Sequence, residues 1–311
     1  MGIKGKAALA IVVLLFFLGS MWLQGSLDYQ WDSCLKGYIQ INSPHHLSNG
    51  SEADSDEDGA ILEVCPGQKF QVSELLSHLL AAPAPTNDVL LQPYLASWDE
   101  LIKFMEALGP MVGLISQEIE AKTSIIRDLT LREAGSSDEG EVGLALGLVS
   151  GTRVHGGGQE ETEASVAAPS STYLSLRSMI HTELSRGLVD FQQMTESGCR
   201  TLLRLHRALL WLQVFLEKLG EGPVGGRLRS PSELCREAYQ HTLAHHHSWF
   251  VRRAAEIAFI AMPERSFFYR LVCVTNQEEA SVVLNRVVRA IEEVYDRCQG
   301  VLEEHGMLDL P

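Results

Sequence analysis

The chain has 311 residues, of which 25 are basic and 40 are acidic, so its formal net charge is −15. Hydrophobic residues make up 45% and charged residues 21% of the chain, which excludes a wholly disordered protein and a fibrous rod. The net acidity argues against nucleic-acid binding, which needs a basic face that neutralises phosphates. Any anion that this protein binds must therefore meet a local cluster of basic side chains.

Residues 1–27 have the pattern of a targeting or anchoring segment. Lys4 and Lys6 precede 17 residues, from Ala7 to Leu23, that contain no charge. As a helix this stretch would be about 25 Å long, slightly shorter than the ~30 Å hydrocarbon core of a bilayer. The pattern predicts either a signal peptide or a short signal-anchor, and it directs the remaining chain to a membrane or the secretory pathway.

Residues 28–66 are predicted to be an acidic, flexible linker. Its acid run, which begins at Asp54, imitates a calcium-binding loop, but Cys65 stands at the twelfth position, where such a loop has a bidentate glutamate. A glycosylation sequence at Asn49 agrees with a lumenal route. Cys34 and Cys65 flank the acid run, and they could close a disulfide loop in an oxidising compartment.

From residue 67 to 311 helical periodicity is nearly continuous, and no strand or hairpin pattern is found, which predicts one all-α domain. The predicted helical segments are 69–80, 95–131 with a kink at Gly109–Pro110, 173–188, 199–219, 232–262 and 276–305. Residues 134–170 contain eight glycines and clustered acids, and they predict a disordered insertion. Cys199 and Cys235 fall in helices and are predicted to be buried free thiols.

The predicted helix over 199–219 carries a basic stripe and has no acid before its last turn. Arg200, Arg204, Arg207 and Trp211 fall within about 60° of one another at 100° per residue. A solvated basic face is one interpretation, but such faces usually interleave acids as i,i+4 partners. The rest of this helix is rich in leucine, and arginines on a mostly buried helix need an anion. A phosphate matches the fork geometry of arginine.

Two further patterns have less specific interpretations. Residues 245–247 are three histidines, but neither an HExxH motif nor a suitably spaced cysteine pair accompanies them, so no metal site is predicted. Trp249 precedes an apolar helix and suits either a core or a membrane surface. Glu118 and Lys122 have the spacing of an intrahelical ion pair.

No nucleophile elbow, phosphate loop or dinucleotide fingerprint is present, so the sequence predicts neither an enzymatic activity nor a cofactor. A purely structural helical scaffold is a further alternative, and it predicts that the purified protein contains no lipid.

At these segments the sequence resembles the glycolipid transfer protein superfamily, and within it the ceramide-1-phosphate transfer branch. The matching segments are 88–91 with 93–98, 197–209, 246–249 with 252–254, and 308–311. The resemblance covers the predicted core apart from the insertion. It implies a two-layer all-helical sandwich with a pocket for lipid chains between the layers.

The resemblance also implies which residues bind the ligand. Glu118 stands in the place of an acid that holds the ceramide amide, and His247 in the place of a second headgroup residue. Lys122, Arg200 and Arg204 resemble a cationic triad that binds phosphate. The branch has aspartate where this chain has Glu118, so the carboxylate here is one methylene further from the backbone.

The resulting prediction is intermembrane transfer of a sphingolipid, most specifically ceramide-1-phosphate. Trp249 resembles the membrane-docking element of the family, and the predicted partners are the lipid and a membrane surface, with the protein acting as a monomer. A membrane-anchored sphingolipid sensor or presenter is the alternative, and it applies if the leader is retained. Similar proteins act in the cytosol, so a cytosolic protein at the membrane periphery is the alternative localisation.

Overall fold

A computed structural model describes residues 65–145, 173–193 and 197–311, and for 134–145 it describes the backbone alone. The predicted leader, the linker up to residue 64, the sequence at Asn49 and residues 146–170 of the predicted insertion lie outside the described residues. Within the described ranges the chain forms nine α-helices and one short hairpin.

The helices are α1 (Val72–Ala81), α2 (Leu91–Ala107), α3 (Pro110–Ala145), α4 (Leu176–Ser185), α5 (Gly198–Gly220), α6 (Pro231–Thr242), α7 (Trp249–Ile260), α8 (Arg265–Leu271) and α9 (Gln277–Glu304). The strands β1 (Pro83–Ala84) and β2 (Asp88–Val89) pair antiparallel. Two 3-10 turns cover Ala244–His246 and Met307–Asp309.

The core is built around α5, which packs against α3, α4, α6 and α9. A leucine-rich sequence suits this central position, because neighbours on several sides bury almost the whole circumference of the helix. Trp98, Phe215 and Phe259 are among the largest fully buried side chains. The helix that carries the predicted basic stripe is therefore the most enclosed helix of the fold.

The start of α5 is fixed by two acceptors. The Ser197 hydroxyl accepts the backbone N–H of Arg200 at 3.1 Å. The Glu183 carboxylate on α4 accepts the N–H groups of Gly198, at 2.6 Å, and Cys199, at 2.9 Å. Negative charge is favourable at a helix N-terminus, where backbone donors lack intrahelical partners. These contacts fix the first turn of α5, and with it the place of Arg200 in the fold.

Three predicted helix boundaries were wrong. The segment 95–131 is not one kinked helix: α2 ends before Gly109, whose φ of 110° is a left-handed conformation suited to glycine, and Pro110 begins α3. The helix α3 also continues into the predicted insertion, as far as Ala145. The segment 232–262 is divided into α6 and α7, because the backbone at His247 is extended.

One smaller expectation, the absence of a hairpin, was also wrong. The sequence gives no sign of the hairpin because each strand has only two residues, and Asn87 turns the chain with a φ of 56°.

The disulfide of the described chain joins Cys65 to Cys273, across 208 residues of sequence. The predicted pairing of Cys65 with Cys34 was therefore wrong; Cys34 itself lies outside the described residues. Cys65 is buried, two residues before the predicted domain boundary at 67. Cys199 and Cys235 are buried free thiols, as predicted.

Among the described helices, none is both long and apolar enough to cross a membrane. The described residues also contain no cluster of three histidine, cysteine or acidic side chains that could hold a metal ion.

Candidate functional site

A cavity of about 500 Å³ lies between α2, α3, α5 and the segment at the end of the chain. This volume is within the range of ~300–1,000 Å³ that is typical of ligand pockets. Its apolar wall includes Trp98, Met105, Ile119, Leu203 and Leu212. Because its wall combines charged and apolar side chains, the cavity suits an amphipathic ligand.

All five predicted ligand-binding residues line this cavity. The helix α3 supplies Glu118 and Lys122, and α5 supplies Arg200 and Arg204. His247 comes from the segment between α6 and α7. Cationic side chains from two helices therefore converge on a largely apolar cavity.

The stripe predicted on α5 is confirmed in full. Arg207 and Trp211 line the same cavity as Arg200 and Arg204, as their helical spacing requires. The acid-free sequence of the stripe is explained by its position, because an acidic side chain on this face would neutralise the cations.

Glu118 and Lys122 form the ion pair that their spacing predicts. The Lys122 Nζ atom lies 2.5 Å from the Glu118 Oε1 atom. The lysine side chain is 15% exposed and the glutamate side chain 69% exposed. The carboxylate therefore lies at the rim of the cavity, and it holds an ammonium group that is mostly withdrawn from water.

Arg200 is buried, and much of its guanidinium is bound by the protein itself. Its Nε donates to the Pro311 carbonyl oxygen at 2.7 Å. Its second amino group donates to the carbonyl oxygens of Asp190, at 3.0 Å, and Gln193, at 2.8 Å. Arg200 thus joins α5 to the segment after α4 and to the segment at the end of the chain.

Arg204, one turn later, is exposed and makes no hydrogen bond or ion pair with the described part of the chain. Its guanidinium group has its full set of donors available to a ligand. Of the two triad arginines, Arg204 is therefore the one whose donors are uncommitted.

His247 is held by a tyrosine from α6. The Tyr239 hydroxyl lies 2.9 Å from the Nδ1 atom of His247. Burial, together with the neighbouring His245, lowers the pKa of His247. The imidazole is therefore neutral at pH 7, with one nitrogen as donor and the other as acceptor.

The predicted docking residue Trp249 belongs to an exposed apolar face on α7. We define the α7 apolar face as Trp249, Phe250, Ile257 and Ile260, which are 57%, 70%, 47% and 73% exposed. At 100° per residue these four positions fall within about 100° of one another. An exposed helix face with several large apolar side chains is typical of a contact with a membrane or another protein.

Comparison with known proteins places this geometry in a family. A family model described as "Glycolipid transfer protein (GLTP)" matches residues 158–274. The ceramide-1-phosphate transfer protein of Homo sapiens is 37% identical over 228 residues, which cover 72% of this chain and 89% of that protein. The protein of the same name from Xenopus laevis is 35% identical over 249 residues, which cover 78% of this chain and 98% of that protein. The chain belongs to the glycolipid transfer protein superfamily.

Within this superfamily its place is the ceramide-1-phosphate transfer branch. The solved apo structure of the mouse ceramide-1-phosphate transfer protein superposes with a TM-score of 0.61 at 35% identity, covering 78% of this chain and 100% of that one. The human protein in complex with 12:0 ceramide-1-phosphate superposes with a TM-score of 0.60 at 34% identity, and the match covers 76% of this chain and 97% of that one. The predicted two-layer all-α sandwich of the glycolipid transfer protein fold is confirmed.

Sequence reasoning missed part of this glycolipid-transfer-type cavity. Leu310 and Pro311 line it, and Arg207 donates to the Leu308 carbonyl oxygen at 2.9 Å. Burial and the neighbouring Arg204 lower the pKa of Arg207. Trp98 also lines the cavity, although a buried tryptophan cannot be told from an ordinary core residue in sequence. Only the matching segment 308–311 indicated that the end of the chain is part of the site.

Proposed function

We propose that this protein transfers ceramide-1-phosphate between membranes. The observation that carries the proposal is the cavity itself, which combines an apolar wall with the cations Lys122, Arg204 and Arg207 from two helices. Relatives that match most of the chain are named ceramide-1-phosphate transfer proteins, and one such relative is solved with that lipid bound.

The apolar part of the cavity addresses the main barrier to lipid movement. Each methylene group exposed to water costs about 0.8 kcal/mol, so two long chains make desorption from a bilayer cost on the order of 20 kcal/mol. A cavity that encloses the chains removes most of this cost. No covalent step is needed, and the protein belongs to a family of lipid carriers.

The cationic part of the cavity selects the headgroup. A phosphate compensates the charge of arginine and lysine through short charge-assisted hydrogen bonds. A sugar headgroup supplies no anion to Arg204 and Arg207, so it cannot form these charge-assisted hydrogen bonds. The site should therefore discriminate against neutral glycolipids.

The individual roles follow the contacts of each side chain. Arg204 and Lys122 bind the phosphate directly, and Arg200 adds positive charge while it positions the end of the chain. Glu118 accepts from the ceramide amide and holds Lys122. His247 hydrogen-bonds the polar region of the lipid next to the phosphate.

We further propose that the protein works at a membrane surface, where the α7 apolar face inserts. Trp249 enters the interface, and the nearby Arg253, whose guanidinium carbon lies 5.7 Å from the indole centroid, favours anionic lipids. The leader over 1–27, the linker and the insertion remain predictions. The leader favours the secretory side of the membrane; cytosolic, peripheral action is the alternative.

The direct test is lipid transfer between vesicles by the purified chain. Donor vesicles contain fluorescent ceramide-1-phosphate in one arm and a fluorescent monohexosylceramide in the other. The proposal predicts protein-dependent transfer of the phosphorylated lipid and little transfer of the glycosylated one. Transfer of neither lipid, or of the glycosylated lipid alone, would overturn it.

A further inference from the structure

Tyr239 on α6 contacts both the headgroup end of the cavity and the docking helix. Its hydroxyl is hydrogen-bonded to the Nδ1 atom of His247, a residue of the cavity wall. Its ring packs edge-on against Phe259 of α7, with centroids 5.2 Å apart. One side chain thus links a group that faces the ligand to the helix that carries the α7 apolar face.

The helix α7 packs against α6 and α3, and few of its side chains are buried. Of its twelve residues, Ala258 and Phe259 are the buried ones. An ion pair between Arg236 on α6 and Glu256, at 2.7 Å, is partly exposed, and such pairs contribute little to stability. The contact between Phe259 and Tyr239 is therefore a principal support of α7, so a change at Tyr239 should alter how firmly the helix is held.

The hydrogen bond to Tyr239 also determines which ring nitrogen of His247 can donate a hydrogen bond to a ligand. Burial raises the pKa of Tyr239, so the hydroxyl keeps its proton and can donate it to Nδ1. The proton of the neutral imidazole then resides on Nε2, which becomes a donor to the cavity. A ligand oxygen that accepts from Nε2 polarises the ring and strengthens the bond from Tyr239, because linked hydrogen bonds are cooperative.

We propose that Tyr239 couples occupancy of the headgroup site to the packing of α7. A lipid bound at His247 stabilises the arrangement in which the Tyr239 hydroxyl bonds Nδ1 and its ring holds Phe259. In the empty protein this arrangement is less favoured, and α7 opens more often. The inference rests on the proposed function, since it requires a headgroup at His247, and it assigns Tyr239 a positioning role.

The coupling can be measured by hydrogen–deuterium exchange of the full chain with and without short-chain ceramide-1-phosphate. We expect the ligand to slow exchange of the α7 amides by roughly 2- to 10-fold, the range that one hydrogen bond can supply. In Tyr239→Phe, which keeps the ring and removes the hydroxyl, this effect on α7 should be lost. Slowing of exchange around Lys122 and Arg204 should remain.

The matched control is Tyr295→Phe, which removes another half-buried hydroxyl, 3.4 Å from Gln299, away from the cavity. Ligand-dependent slowing on α7 should persist in this variant. Equal slowing on α7 in Tyr239→Phe and wild type would overturn the coupling, as would a wild-type α7 that does not respond while the amides around Lys122 do. No ligand-dependent change anywhere in the wild type would instead refute the proposed function, and the coupling with it.

Discussion

Arg200 and Arg204 stand four residues apart on one face of α5, yet the protein uses them differently. Arg200 is 3% exposed and bonds carbonyl oxygens from two separate segments. Arg204 is exposed. Removing either charge should therefore affect binding, whereas removing Arg200 also breaks the hydrogen bonds that join α5 to two other segments.

Substituting these two arginines should separate binding from stability. Arg204→Ala is expected to weaken ceramide-1-phosphate binding by about 10- to 100-fold, the value of one hydrogen bond to a charged group, and to leave the unfolding temperature unchanged. Arg200→Ala should weaken binding and also lower the unfolding temperature. Equilibrium binding and thermal unfolding measure the two effects, with the exposed Arg289→Ala on α9 as control. Unchanged affinity for ceramide-1-phosphate in Arg204→Ala would contradict the role of Arg204 in phosphate binding.

His206 on α5 gives the stability a defined pH dependence. Its ring is buried, bonds Gln299 at 2.7 Å and stacks on Tyr295 at 4.1 Å between centroids. Burial lowers the pKa of His206 from 6.5 to about 4. The unfolded chain binds this proton more readily, so the stabilisation is present above pH 6.5 and is lost as the pH falls towards 4.

Denaturant unfolding at pH 7 and pH 5 measures this effect. Between these values the wild type should lose roughly 2 kcal/mol through His206, at 1.36 kcal/mol per pKa unit. In His206→Gln this part of the loss should be absent, although the variant is less stable at pH 7. The exposed His181→Gln should keep the wild-type difference between the two pH values, and a wild-type difference in His206→Gln would refute the prediction.

At the scale of helices, the junction of α4 and α5 positions the cationic stripe. A Cβ atom added at Gly198 would lie 2.8 Å from both the Glu183 Oε1 atom and the Met179 Sδ atom. Glycine is therefore required here by packing, because the Glu183 carboxylate must approach the first N–H groups of α5 closely.

Two glycine-to-alanine variants test this junction. Gly198→Ala should destabilise the fold by about 1–3 kcal/mol, as overpacking does. Gly300→Ala, on α9 where nothing lies within 4 Å of the added Cβ, should stabilise it by about 0.5–1 kcal/mol through helix propensity. Chemical denaturation measures both values. A neutral Gly198→Ala would show that the Glu183 contact does not restrict α5.

The α7 apolar face makes a separate prediction about membranes. Trp249→Ala with Phe250→Ala should reduce binding to anionic vesicles by more than about 10-fold, because each buried aromatic side chain contributes roughly 1.5–3 kcal/mol. Val282→Ala, which removes a 71% exposed side chain from α9, is the control and should bind normally. Vesicle sedimentation measures the bound fraction, and unchanged binding of the double variant would exclude α7 as the docking element.

At the scale of the whole molecule, the sequence predicted those features that follow from helical periodicity. The basic stripe on α5 could be placed because Arg200, Arg204 and Trp211 are related by helical geometry alone. The all-α fold class was predicted in the same way, from the nearly continuous helical periodicity of residues 67–311. The identities of Glu118 and His247 as cavity residues came from the resemblance, since neither has a distinctive local pattern.

What the sequence could not predict depends on contacts between distant segments. Cys65 meets Cys273 across 208 residues, and Pro311 meets Arg200 across 111, so no local signal exists for either contact. The break before Pro110 was predicted only as a kink, and the break around His247 was missed, because an apolar pattern continues across each of them.

The central claim is that Lys122 and Arg204 recognise a phosphate at the mouth of the cavity. The most direct measurement is the ratio of the affinities for ceramide-1-phosphate and for ceramide with the same chains, in wild type and in the double variant Lys122→Ala, Arg204→Ala. We predict a strong preference for the phosphorylated lipid in the wild type and a preference at least about 100-fold weaker in the double variant, in which Arg200 and Arg207 still supply positive charge. A preference of wild-type size after removal of both cations would contradict the account.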